Sequence, residues 1–178
     1  MILASHAVVG AVLGKLVPQH PIAAFFLGFL SHFVFDSIPH WQYSLKSLSK
    51  NVAGDYEMPS GKKFNTDMLK VGIDILSGLA IVVWFLKPLA FGDSGLFTLS
   101  GVKVFTTGGL SVLAGAFGGM LPDGLQFLYF KIKREPFLSL QRFHNWIHAE
   151  HDITAVSYGV VTQIAIVLAV SLLGTYLL

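Results

Sequence analysis

The chain has 178 residues, 53% of them hydrophobic and only 12% charged, with a formal net charge of +2 and no cysteine. An ordinary soluble domain carries about 25% charged residues, so this composition describes a single-domain integral membrane protein. It excludes the basic stripe of a nucleic-acid-binding surface. It also excludes disulfides and thiolate metal sites, leaving His, Asp, Glu and the backbone as ligands.

Five apolar segments follow one another, predicting an all-α membrane helical bundle over residues 1–178. Met1 leads almost directly into an apolar run, with no positive region and no small-residue cleavage site before it, so no removable signal peptide is expected. Residues 2–17 are short for a span, since crossing the hydrocarbon takes roughly 20 residues. Pro18 and Pro21 bracket a turn before the second segment, residues 22–38, and this first pair reads as a short or re-entrant hairpin. The third segment, 69–91, ends at Lys87-Pro88 and Gly92-Asp93-Ser94-Gly95. The fourth, 101–121, is rich in Gly and Ala (Gly108, Gly109, Gly115, Gly118, Gly119), residues that let helices approach closely in lipid. The fifth, 153–177, carries no charge and is long enough to span with tilt. Two polar connections separate these segments, 41–68 and 122–152; in the first, Asp55, Glu57 and Asp67 read as solvated loop charges.

Lysine and arginine set the expected orientation. Lys46, Lys50, Lys62, Lys63 and Lys70 belong to the first polar connection and its edge, and Lys131, Lys133, Arg134 and Arg142 to the second. Only Lys15, Lys87 and Lys103 lie elsewhere. The positive-inside rule then puts both connections and the amino terminus in the cytoplasm.

That orientation gathers the scarce histidines and aspartates at one membrane face. His6 opens the first segment, and His32, Asp36 and His40 close the second. Asp74 lies near the start of the third, Asp123 ends the fourth, and His144, His148 and Asp152 precede the fifth. Ionisable groups beside lipid are costly unless they pair or bind metal. Spacing by four puts His32, Asp36 and His40 on one helical face, and His144, His148 and Asp152 on another. Two such helices can hold two or three divalent ions with a bridging carboxylate, completed by His6, Asp74 and Asp123. Zinc suits this mixture of N and O ligands best, and manganese or iron also fit. Taken singly, His6 reads equally as a structural histidine and Asp123 as a turn former in Pro-Asp-Gly. A metal cluster of this kind suits phosphoester hydrolysis. Glu150 or a non-ligating Asp such as Asp74 is the candidate general base, and Arg142 a candidate phosphate clamp. Trp41 and Trp146 read as interfacial aromatics.

These motifs resemble those of the small bacterial inner-membrane proteins catalogued as membrane-bound metal-dependent hydrolases, and more distantly the all-helical zinc-dependent phospholipases C. The resemblance rests on Ser5-His6-Ala7 before an apolar run, Ser31-His32-Phe33-Val34-Phe35-Asp36 with Pro39-His40, Leu121-Pro122-Asp123, and the His144/His148 pair. It implies His6, His32, Asp36, Asp123, His144 and His148 as ligands, a lipid or lipid-linked phosphoester as substrate, and the prokaryotic cytoplasmic membrane as location. The membrane family commonly shows Pro-Asp-x-Asp, whereas here Leu125 stands where the second carboxylate is expected. Two other readings compete: a binding or transport protein passing metal or protons, and a structural protein stapled by metal. Transport is disfavoured because ionisable residues do not continue through the bilayer depth.

Overall fold

A computed structural model describes residues 1–50, 56–91, 107–148 and 155–176. Among the described residues, the regular structure is helical apart from one short strand pair, in keeping with the all-α expectation. The helices are α1 (Leu3–Leu16), α2 (Pro21–Asp36), α3 (Lys62–Phe91), α4 (Thr107–Ile132), α5 (Phe137–Ile147) and α6 (Val156–Tyr176). Between α2 and α3, β1 (Ser49–Lys50) pairs antiparallel with β2 (Tyr56–Glu57), Ser49 opposite Glu57 and Lys50 opposite Tyr56.

Local chemistry sets these boundaries. Pro21 occupies the first turn of α2, where its missing N–H costs nothing. Gly61, at φ 150°, takes a conformation that a side chain would strain and turns the chain into α3. From there to Pro88 no glycine turn or proline interrupts the sequence, so α3 starts seven residues before the apolar segment that predicted it. Pro122 lies within α4 rather than ending it, and the helix runs on to Ile132, inside the second polar connection. Pro122 removes one backbone donor from the turn that contains Gly118 and Gly119.

A bundle of five spans of bilayer length is not supported. Among the described residues, one helix, at Val156–Gly174, is long and apolar enough to cross a membrane. With 14 and 16 residues, α1 and α2 are about 21 and 24 Å long, short of the roughly 30 Å hydrocarbon core. The first helix is enclosed by protein: residues Leu3–Val12 are buried, and α2, α3, α4 and α6 all pack against it. A helix that is apolar all round belongs in such a position. Its Ala7, Val8 and Ala11 form the core with Val82 of α3 and Val112 and Ala116 of α4.

Glycine allows the closest of these contacts. A Cβ on Gly115 of α4 would overlap the carbonyl oxygen of Gly10 on α1, and one on Gly28 of α2 would overlap that of Gly115. Three backbones therefore meet at one level, which fixes the registry of α1, α2 and α4. Outside this core, large apolar side chains face outward. On α2, Ile22, Phe26, Leu30 and Val34 form an exposed stripe at four-residue spacing, and Val161, Ile164, Leu168 and Leu172 line the outer side of α6.

Asp67, expected as a solvated charge, is buried at the start of α3. It accepts from the Ser47 N–H (2.6 Å) and hydroxyl (2.8 Å), and Lys70 lies 3.3 Å away. Burial works against its charge, but these donors outweigh it and hold the carboxyl below the usual aspartate range.

Two outcomes follow from this packing. Gly115→Leu should lower stability by more than about 3 kcal/mol, because the overlap is with backbone that cannot move aside. Gly72→Leu, where a Cβ meets open space, should fold normally; thermal unfolding in detergent compares the two. The stabilisation from Asp67 should be complete above its unfolded pKa of about 4. It should then fade as pH falls through the lower folded value, a dependence that Asp67→Asn removes from an acid titration of stability.

Candidate metal centre

Four helices deliver one or two ligands each to a single point beside the amino-terminal end of α1. The last two turns of α2 present His32 and Asp36, and the chain then leaves the helix because Pro39 cannot continue it. His40 folds back from the following loop. His6 comes from the second turn of α1, Asp123 from α4 just after Pro122, and His144 from the inner face of α5, beside the buried Gln141.

Asp36 is the hub, buried with 1% of its surface accessible. Its Oδ2 lies 3.1 Å from His32 Nε2 and 3.0 Å from His144 Nε2. Its Oδ1 lies 3.1 Å from His6 Nε2, 3.8 Å from His40 Nε2 and 2.6 Å from the Met1 amine. His32 Nε2 is also 3.5 Å from His144 Nε2 and 3.7 Å from Asp123 Oδ1. The His6 and His32 rings stack with centroids 4.0 Å apart.

The protonation pattern of the imidazoles follows from their outer nitrogens. His32 Nδ1 lies 2.8 Å from the Gly119 carbonyl oxygen, which can only accept, so Nδ1 carries the hydrogen and donates it. Neutral His32 then turns a bare Nε2 lone pair toward the Asp36 carboxylate and the Nε2 of His144. Such a meeting is repulsive until a cation, a proton or a metal ion, lies between them. His40 repeats the pattern: its Nδ1–H donates to the Ile38 carbonyl at 2.7 Å, and its buried Nε2 has no hydrogen-bond partner. Burial first, and then the Met1 ammonium, push the His40 pKa down, which keeps that nitrogen unprotonated. An imidazole tied back to a carbonyl through one nitrogen and bare at the other is the usual posture of a metal ligand.

The spacing fits as well. Metal–ligand bonds of about 2.0–2.2 Å in a tetrahedral shell put neighbouring ligand atoms about 3.3–3.6 Å apart. The distances among His32 Nε2, Asp36 Oδ2, His144 Nε2 and Asp123 Oδ1 given above run from 3.0 to 3.7 Å. His32, Asp36, Asp123 and His144 thus form one group of ligand atoms able to hold a metal ion, and Asp36, His40 and His148 form a second. Asp36 belongs to both and has two oxygens to divide between them. Buried His/Asp clusters that could hold a metal ion are therefore present, and Asp36 is common to both groups.

Other residues expected at the site stand elsewhere. Asp74 does not join the cluster: it accepts the Leu3 and Ala4 backbone N–H groups at 2.8 and 3.1 Å, capping α1 from across the fold. Tyr43 donates to the same carboxylate at 3.2 Å, and burial, followed by the Asp74 charge, pushes its phenol pKa up, so it stays a donor. Arg142 is exposed on α5; two residues from His144, it lies about 200° around the helix from the cluster. Glu150 and Asp152 lie outside the described residues. Sequence reasoning missed Gln163 of α6, which is 2% exposed. Its Oε1 accepts from the Ile2 N–H and the Ser5 hydroxyl, and its Nε2 donates to the Trp41 carbonyl at 2.6 Å. The signal was a lone amide in an otherwise apolar segment, where a polar group needs partners.

Comparison of the chain with protein-family models, with curated proteins and with solved structures returns no match.

Capping and ligation give separable outcomes. Asp74→Asn should cost about 1–2 kcal/mol of stability through the weakened α1 terminus and leave metal content unchanged, as denaturation and elemental analysis on one preparation would register. Loss of metal with unaltered stability would instead make Asp74 a ligand.

Proposed function

We propose that this chain is a membrane-embedded, metal-dependent hydrolase that cleaves a phosphoester in a lipid or lipid-linked substrate. The observation that carries the reading is the convergence of His32, Asp36, Asp123 and His144 at tetrahedral spacing, with His40 and His148 grouped on the same carboxylate. Zinc is the metal this donor set suits best, with manganese or iron also compatible. A bound divalent ion supplies Lewis-acid polarisation of a phosphoryl oxygen and lowers the pKa of water.

The chain's own residues supply position and access. Asp36 holds three imidazoles in one orientation, and the Gly119 and Ile38 carbonyls hold the outer nitrogens of His32 and His40. Asp123 differs from the other ligands: 25% of its side chain is accessible, and it also lines an apolar cavity. A structural site is closed, whereas a catalytic one leaves a position to water or substrate; three buried ligands, His32, Asp36 and His144, with the partly accessible Asp123 on the side of the approach, support catalysis over a metal staple. Asp123 marks the side from which a phosphoester would reach the cluster.

The outward apolar stripes of α2 and α6 support embedding in lipid, since a soluble monomer rarely exposes contiguous patches of that kind. Embedding in the prokaryotic cytoplasmic membrane, with the cluster at the cytoplasmic face, agrees with the distribution of lysine and arginine. α1 then serves as an internal helix of the bundle.

Elemental analysis of detergent-purified protein tests the reading first. At least one zinc or manganese ion per chain is expected, falling to background in His32→Ala and His144→Ala. Phosphoester hydrolysis on phospholipid vesicles should stop on chelation and return with zinc. A chain that stays metal-free after incubation with zinc and manganese would overturn the hydrolase reading.

A further inference from the structure

A cavity of about 550 Å³ lies beside the cluster, lined by residues of α3 and α4, by Leu3 of α1 and by the loop that carries Tyr43. Its volume lies in the range of ligand sites, about 300–1,000 Å³. The wall contains one carboxylate, Asp123, so the cavity and the proposed metal group share a residue. From Asp123 toward the far ends of the two helices the wall is hydrocarbon: Ile75 and Leu79 on α3, Phe117, Met120 and Leu121 on α4.

Shape and chemistry select the occupant. Lining residues on α3 run from Met68 to Leu79, about 17 Å of helix. Apart from Gln42, Tyr43, Asp123 and Gln126 the lining is apolar, so a polar metabolite would leave most of the wall unmatched. An extended hydrocarbon chain with a polar group at one point matches the length of the wall and the placement of Asp123. The exposed apolar residues Leu69, Ile73 and Leu76 on the outer side of α3 place hydrocarbon-compatible surface around the same helix.

We infer that this cavity binds one acyl chain of a membrane lipid along α3 and α4, with the ester end of that chain toward Asp123. The inference deepens the hydrolase reading by naming the part of the substrate that the protein holds. It rests on that reading only for the cleavage itself, because hydrocarbon binding does not require metal.

Gly124 supplies the test. It lines the cavity, and a Cβ there meets nothing within 4 Å, so Gly124→Leu fills the space without disturbing backbone. Val71→Trp fills it from α3, and Gly72→Leu, also in open space but not on the cavity wall, is the matched control. The protein is reconstituted in phosphatidylethanolamine–phosphatidylglycerol vesicles containing a phosphatidylglycerol with a diazirine at the end of one acyl chain. After photolysis, adducts are mapped by mass spectrometry and metal is measured on the same sample.

Adducts are expected on the peptides bearing Leu79, Phe117 and Met120. They should fall several-fold in Gly124→Leu and Val71→Trp but not in Gly72→Leu, and persist after chelation. Labelling of Leu30 and Val34 on the outward face of α2 should be equal in all variants. Labelling of α2 without labelling of the cavity, or cavity labelling indifferent to Gly124→Leu, overturns the inference whether or not metal is found. Absence of metal with the expected labelling removes the hydrolase reading and leaves the lipid site standing.

Discussion

A buried carboxylate is the constraint around which this fold is arranged. Taken out of water alone, Asp36 would be severely destabilising; instead three imidazole nitrogens and an amine lie within about hydrogen-bond distance of its two oxygens. Those partners come from α1, α2 and α5, so solvating one anion also determines where three helices sit. A cluster so dense in imidazole lone pairs needs cationic charge to be stable. That electrostatic need joins the stability of the bundle to its capacity for metal.

The approach of the helices sets how tightly the cluster is drawn. At Gly10, Gly28 and Gly115 the backbones of α1, α2 and α4 meet without intervening side chains. One turn along α4, a Cβ on Gly119 would overlap the His6 carbonyl oxygen, while the Gly119 carbonyl itself holds His32. A glycine-rich packing face thus also holds the outer nitrogen of a histidine in the cluster, and the same helix carries Asp123 to the border between cluster and cavity. The amino-terminal end of α1, whose N–H groups have no partners within the helix, is satisfied by Asp74 of α3 and Gln163 of α6. That anchoring places His6 at the hub.

Within one helix, sequence spacing was a sound guide. His32 and Asp36 fall on one face because residues four apart always do, whereas His40, expected on the same face, lies in the loop beyond the end of α2 at Asp36, since Pro39 cannot continue the helix. The assembly of His6, Asp123 and His144 around them agreed with the burden of keeping ionisable groups in an apolar chain. The same reasoning could not separate Asp36, Asp67 and Asp74, which are chemically alike in a linear sequence. One is the hub, one ties down a loop through Ser47, and one caps a helix. The lengths of apolar runs likewise suggested five spans, because an apolar run looks the same whether lipid or protein surrounds it; α1 is surrounded by protein.

The sequence by itself determined the helical character, the scarcity of charge, the pairing of ligands along α2, and the glycines that allow close approach. These are properties of neighbours along a chain or of composition. Tertiary structure alone decided which carboxylate became the hub of the histidine cluster, that Asp74 and Gln163 serve the α1 terminus, and that a cavity opens beside Asp123. Each depends on the registry between helices, which glycine contacts distant in sequence establish. A side chain's role follows from the atoms that registry brings within about 3 Å of it.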